Sequence, residues 1–380
     1  LSALWILIAN GWMQNPVGAV FNPDTMRMEV TSFREVLFNP VAQAKFVHTV
    51  SAGYVCASAF VLGISALMLL QNRWPRVARR SFAVAASFGL ASALSVVVLG
   101  DESGYALTDN QKMKLAALEA MWETEPAPAG LTAFGIPSLA DRKTHAEIKI
   151  PYVLGLIATR SIDKPVQGIF ELVAIAETRV ENGVKAYDAL ERVKADPADI
   201  AARQAFEETK HDLGYGMLLK RYVADPRTAD AATIQKAAWD TVPNVPVMFW
   251  VFRIMAAIGF LQIAVFGAAF LLVAMRRYET KWLLWTAVAI MPLPWIAIES
   301  GWLLAELGRQ PWAVDGVLPT FLGASSLTVS QLWTTIIGFT VIYTILAVVE
   351  VGLIVRIVRR GPYAHHEDPE PEAGDAVRLA

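Results

Sequence analysis

FVHTVSAGYVCASAFVLGISALMLLQN, residues 46–72, runs for 27 residues without an Asp, Glu, Lys or Arg. About 20 mostly apolar helical residues cross the hydrocarbon core of a bilayer, so this stretch alone puts the chain in a membrane. Working outward, 81–100 and 254–275 are also free of charge, 282–304 is interrupted only by Glu299, and 331–355 only by Glu350. Residues 1–14 form a shorter apolar run that completes the set. Lipid offers backbone groups no hydrogen bonds, so each run must be a helix or part of a closed barrel, and none alternates as a barrel strand does. The predicted fold class is all-α, a polytopic transmembrane helical bundle.

Composition agrees. Hydrophobic residues make up 55% of the 380, charged residues 18%, and mean hydropathy is +0.41, outside the range of soluble globular chains. A net charge of −2 gives no basic footprint for nucleic acid. The single cysteine, Cys56, excludes a disulfide framework and cysteine-ligated zinc or iron–sulfur sites. Leu1 already lies inside an apolar run with no initiator methionine or basic segment before it, so the chain is expected to be a piece lacking its N-terminal part.

The charges draw the domain map. Residues 101–245 hold 22 Asp/Glu and 17 Lys/Arg, more than half of the chain's charges in well under half of its length. The expected division is a partial and two full transmembrane helices over 1–100, a large extracytoplasmic loop domain over 101–245, three helices over 246–360, and a disordered cytoplasmic tail over 361–380. That tail is acidic and Pro-containing, and its His365 and His366 read as solvated. Basic residues favour the cytoplasmic side of short loops. Arg73, Arg76, Arg79 and Arg80, then Arg276, Arg277 and Lys281, then Arg356, Arg359 and Arg360 fit one topology. It leaves residues 15–45, the charged insert and GRQPW (308–312) on the opposite, outer face.

Ionisable residues inside apolar runs are costly and mark sites by default. Four stand out: His48, Arg253, Glu299 and Glu350. Glu350 is six residues from Arg356, near enough to the inner interface for an ion pair. At about 1.5 Å of rise per residue, His48, Met255 and Glu299 fall at one shallow level, roughly 10–13 Å below the outer face. Imidazole and thioether from two helices are the axial set of a low-spin haem, and no CxxCH attaches one covalently. The plain alternatives stay open: a lone intramembrane His serves as often in helix–helix hydrogen bonding, a Met is usually packing, and Arg253 can snorkel or pair with haem propionates.

Six segments then resemble, in order, subunit I of the cytochrome bd quinol oxidases. They are LSALWILIANGWMQNPVGA (1–19), MRMEVTSFREVLFNPVAQAKFVHTV (26–50), GDESGY (100–105) with KLAALEAMWETEPAPA (114–129), FRIM (252–255), MPLPWIAIESGW (291–302) and GRQPWAVDGVLPT (308–320). The resemblance runs to about residue 362 and implies a haem-bearing subunit of a terminal quinol:oxygen oxidoreductase of the bacterial cytoplasmic (inner) membrane. It makes the insert a quinol-binding loop of the longer form. It implies His48 and Met255 as ligands of a low-spin haem b, with Arg253 beside that haem. Glu299 becomes the ligand of a high-spin haem b, and Trp295 the tryptophan packed between that haem and haem d. Lys114 and Glu119 are implicated in quinol oxidation, with Asp101 and Tyr105 as weaker neighbours, and Arg309 as structural or propionate-binding. The ligand of haem d belongs to a segment the sequence lacks, so this stretch alone is expected to be inactive. Partners implied are ubiquinol or menaquinol, O2, subunit II, small accessory subunits and membrane lipid, with electrons passing from low-spin to high-spin haem b to haem d. Quinol protons would leave outward, generating protonmotive force without a pump.

The residues alone give Lys114 and Glu119 a less specific reading. A spacing of five sets them about 140° apart on a helix, able to serve one head group only if the helix ends between them or the ligand lies across it; otherwise they decorate a solvated helix. Two other functions remain open at this stage. One is a transporter or channel in which His48, Arg253 and Glu299 handle substrate or protons; the other is a dihaem cytochrome b, though those usually ligate with His pairs.

Overall fold

In the computed structural model, which describes residues 2–361, the apolar runs are long helices. The first short run is α1 (Ser2–Gln14), followed by the hairpin β1 (Ala19–Asn22) and β2 (Arg27–Val30) and the short α2 (Phe33–Leu37). Helix α3 (Pro40–Leu70) starts where Asn39 accepts a hydrogen bond from the Val41 amide at 3.0 Å and Pro40 occupies the first turn, a standard start signal. Helix α4 (Pro75–Asn110) likewise starts on a proline. It continues a further ten residues past Gly100, so the expected boundary at residue 101 falls inside a continuous helix. Nothing in DESGYALTDN is a proline, and helix persists although hydrophobicity ends.

The insert then contains α5 (Lys112–Leu118), the hairpin β3 (Leu131–Ser138) and β4 (Lys143–Ile150), α6 (Val153–Thr159), α7 (Ile169–Ala195), α8 (Ile200–Thr209), α9 (Leu213–Leu218) and α10 (Ala231–Trp239). Helix α11 (Val245–Ala274) returns to the membrane, capped by Asn244. The next span is broken into α12 (Lys281–Ala289) and α13 (Leu293–Leu307) at Met291-Pro292, where proline cannot continue the ladder. The buried side-chain amide of Gln262 on α11 donates to the Ile290 carbonyl at 3.4 Å, supporting the backbone at that break. The hairpin β5 (Trp312–Val314) and β6 (Leu318–Pro319) ends the first of two compact units, residues 1–323. The second unit contains α14 (Val329–Arg360), started by a capping box of Thr328 and Gln331. Five spans among the described residues are long and apolar enough to cross a membrane. The expected tail lies outside the described residues except for Gly361.

Within the first unit α3 packs on α4, α4 on α11, α11 on α13, and α12 and α13 back on α3, closing a bundle. Its core interleaves small and large side chains: Ala59, Leu62 and Ala66 meet Phe82, Ala85 and Ala86, while Phe266 covers Gly89. A Cβ on Gly89 would lie 2.4 Å from the Phe266 ring, so glycine is what lets α11 approach α4. One end of the bundle collects the insert and two other loops. Arg203 of α8 pairs with Asp24 at 2.6 Å, Phe21 packs on Phe206, and the Asp315 amide donates to the Met13 carbonyl at 2.8 Å. At the other end Arg79 meets Glu279 at 3.4 Å. The three segments expected to share one face therefore do share one end.

Candidate functional site

Helix α5 is the pivot of the insert-bearing end. Its KMKLAAL sequence sits between α7 and α11, with Leu115, Ala116, Ala117 and Leu118 buried against Ile169, Val173, Met248 and Phe249. A solvated charged helix is thereby excluded. The helix ends at Leu118, Glu119 caps it, and Ala120 reverses the chain at φ +50°. The ending that one head group would require is present, and it sends the two polar side chains into different surroundings.

Glu119 is 2% exposed. Its Oε2 accepts from the Thr132 amide at 3.2 Å and from Arg253 Nη2 at 3.1 Å. Arg253 also donates to the carbonyls of Leu118 and Thr132, and its guanidinium lies 3.5 Å from the centre of the Phe249 ring. Burial lifts the Glu119 carboxyl to about 7, with the Arg253 charge and the Thr132 amide pulling back. A cavity of about 200 Å³ opens over this carboxylate beneath the β3–β4 hairpin, lined also by Trp122, Thr144, Glu147 and Lys149. A buried carboxylate poised near neutrality at the floor of a cavity is suited to accept and release a proton.

Lys114, 3% exposed, points the other way. Its ammonium donates to Gln14 at 3.0 Å and to Gln111 at 2.7 Å, and burial holds it down to about 8, opposed by the charges of Asp315 and Glu306. The network continues: Gln14 donates to Asn10 at 2.9 Å, Asn10 donates to Glu306 at 2.7 Å, Lys45 donates to Asn10 at 3.3 Å, and Arg309 pairs with Glu306. Burial also raises Asp315 to about 6, with the Gln111 hydrogen bond lowering it. Arg309 is thus built into a buried charged cluster, donating as well to the Ala313 carbonyl at 2.6 Å. Sequence reading missed Asn10, Gln14, Lys45, Gln111, Glu306 and Asp315. All but Asp315, which sits in the turn between β5 and β6, lie near a helix end, where a polar residue passes for an interfacial one; the available signal was Glu306 three residues before Arg309, a helical pairing distance.

Deeper in the bundle, His48 on α3 faces Gly100 of α4, where an added Cβ would meet the imidazole at 3.4 Å. Its buried Nδ1 has no partner among the described residues. Met255 on α11 touches α13: a Cβ on Gly301 would lie 3.3 Å from its sulfur. Gly259, one turn past Met255, has nothing within 4 Å of such a Cβ. An imidazole with a free ring nitrogen and a thioether are donor types that would suit haem iron, and the open surface at Gly259 leaves room beside Met255. Arg253, two residues before Met255, is committed to Glu119 and backbone carbonyls rather than standing free for a propionate. Glu299 is exposed and makes no hydrogen bond or ion pair among the described residues, and Trp295, 46% exposed, donates to Cys56 Sγ at 3.4 Å. Asp101 and Tyr105 are apart from both polar groups. Arg160 bonds Asp101 at 2.6 Å and lies over the Tyr105 ring at 4.8 Å, fastening α6 to α4.

Comparison with known proteins gives one answer. The family model described as cytochrome bd terminal oxidase subunit I matches residues 1–362. Cytochrome bd-II ubiquinol oxidase subunit 1 of Escherichia coli K12 is 44% identical over 376 residues, covering 98% of this chain and 73% of that protein. Cytochrome bd ubiquinol oxidase subunit 1 of Bacillus subtilis 168 is 30% identical over 373 residues, covering 97% and 67%. The solved bd oxidase of Geobacillus thermodenitrificans shares the fold, with a TM-score of 0.68 at 23% identity over 95% of this chain and 67% of that one.

Proposed function

Because the chain belongs to the family of subunit I of the cytochrome bd terminal oxidases, we propose that its insert-bearing end oxidises quinol, with Glu119 as the proton acceptor. The family makes this a haem-bearing membrane subunit of a quinol oxidase, with quinol and oxygen as substrates and subunit II as partner. The observation that carries the assignment is the buried Glu119 carboxylate, fixed on one oxygen by Arg253 and Thr132 and bordering a cavity. A quinol loses two protons and two electrons. Glu119 takes a hydroxyl proton, Arg253 balances the carboxylate charge, and protons pass to water through the cavity beside Glu147 and Lys149. Lys114, on the other side of α5, ties the helix to Gln14 and Gln111 and orients the segment that carries Glu119. Asp101 and Tyr105 support the site through Arg160.

His48 and Met255 would hold a low-spin haem b, and Glu299 a high-spin one, with Trp295 against it. When bound, the haems supply one-electron acceptors and the oxygen-reducing centre, in the order low-spin b, high-spin b and d. The other carboxylate of this helix face, Glu306, seven residues after Glu299, is committed to Asn10 and Arg309, which leaves Glu299 as the one for iron. Quinol-dependent oxygen uptake by the assembled oxidase tests the function. Uptake is expected to fall in Glu119→Gln while the haem spectrum stays.

Basic loops at the opposite end support an extracytoplasmic insert and a cytoplasmic C-terminus. Protease added to intact spheroplasts should then cut within residues 111–244. Cutting confined to inverted vesicles would reverse the orientation and the side on which quinol protons emerge.

A further inference from the structure

The β3–β4 hairpin is built inside out for an aqueous loop. Side chains of a strand alternate between faces except where a bulge inserts a residue. The register pairs Leu131 with Ile150, Thr132 with Lys149, Phe134 with Ile148 and Ile136 with His145, and shifts between Thr132 and Phe134 and again between Phe134 and Ile136, which turns Thr132 and Phe134 to opposite faces. Thr132, Thr144, Glu147 and Lys149 line the Glu119 cavity on the inner face. The outer face carries Phe134, Ile136, Ile148 and Ile150, exposed by 42%, 53%, 61% and 46%. A two-stranded hairpin bathed in water would bury its apolar face and expose its threonines and charges. This one leaves its apolar face exposed and turns Thr132 and Thr144 inward, while Glu147 and Lys149 at the cavity rim keep 33% and 36% of their side chains exposed.

Its position explains the reversal. The hairpin rests on the first turns of the membrane-spanning α11: Arg253 donates to the Thr132 carbonyl at 3.1 Å, and the Phe134 ring meets Trp250 edge-on at 5.6 Å. These contacts lie five to eight residues past the start of α11 at Val245, roughly 8–12 Å along the helix at 1.5 Å per residue. Trp250 is itself partly exposed there, and tryptophan favours the headgroup boundary. The apolar face therefore continues the exposed apolar surface of α11.

We propose that the β3–β4 hairpin is an interfacial membrane anchor whose Phe134, Ile136, Ile148 and Ile150 face lies in the leaflet on the insert-bearing side. Burying apolar side chains at the headgroup–acyl boundary is the usual basis of such anchoring. The hairpin then forms the wall between the bilayer and the Glu119 cavity, polar side inward, so a lipid-dissolved quinol approaches at its edge. The anchor stands on the exposed face and its continuity with α11, whether or not Glu119 is the proton acceptor.

The test uses the assembled oxidase in phosphatidylcholine/phosphatidylglycerol nanodiscs, with an environment-sensitive thiol label at Ile148→Cys or, as reference, at Ile200→Cys on the exposed start of α8. The parent oxidase gives the background, including that of Cys56. Phospholipid bearing a nitroxide high on its acyl chain should quench most of the Ile148 label and spare the reference, while aqueous iodide should do the opposite. Lipid quenching at Ile148 no greater than at Ile200 overturns the proposal. If the Ile148 label is then open to iodide the face is in water, and if it is shielded from both quenchers another protein chain covers it.

Discussion

Quinol-driven oxygen uptake should fall by about 10²–10⁴-fold in Glu119→Gln, the usual worth of a positioned acid–base group. Glutamine keeps the shape and an oxygen to accept from Thr132 and Arg253, so packing of α5 against α7 and α11 is expected to survive and the haem spectra to remain those of the parent. Only the ability to take a proton is removed. The pH dependence follows from the same carboxyl. It must be ionised to accept a proton, and burial raises it to about 7, so the parental rate should rise as pH increases through that value. In Arg253→Lys the fork that grips the Leu118 and Thr132 carbonyls is lost, the carboxylate is held less firmly, and the rising limb should move to higher pH. A parental pH profile with full uptake in Glu119→Gln would make Glu119 a structural cap and nothing more.

The second large effect separates the two carboxylates of α13. Glu299 is exposed at membrane depth and has no partner among the described residues, a costly state unless a metal centre or another chain compensates it. Glu306 already has Arg309 and Asn10. Glu299→Ala should therefore lose the high-spin haem b signal and leave the low-spin haem intact, because a weak-field carboxylate suits a five-coordinate high-spin centre. Glu299→Gln should do less damage through its remaining oxygen. Loss of the same signal in Glu306→Ala, with Glu299→Ala normal, would move the ligand two turns toward the insert.

The membrane spans were legible because a bilayer imposes one requirement, a long run without charge, and residues 46–72 meet it without help from neighbours. That residues 15–45, the insert and GRQPW share one end was legible through where the arginines fall. What escaped was decided by tertiary contact. The β3–β4 hairpin has only eight-residue strands with bulges, and its apolar residues face outward, so no core signal marks it. The expected boundary at residue 101 falls inside α4 because helix and hydrophobicity stop at different places. Lys114 and Glu119 were singled out through the family resemblance, whereas the partners that each meets, Gln14 and Gln111 for one and Arg253 and Thr132 for the other, come from tertiary contact. The Asn10–Gln14–Lys114 chain joins residues a hundred positions apart, which spacing cannot reveal.

On the proposed function, the electron acceptor that His48 and Met255 would hold is coupled to the proton acceptor Glu119 through Arg253, which sits two residues before Met255 on α11 and bonds Glu119 at 3.1 Å. Low-temperature electron paramagnetic resonance and visible spectra of the oxidised and reduced assembled oxidase carrying Met255→Leu test this most directly. The low-spin haem b signal should convert to high-spin, with a lower reduction potential, while the high-spin haem is retained. An unchanged low-spin signal in that variant would remove Met255 from the iron and contradict the account.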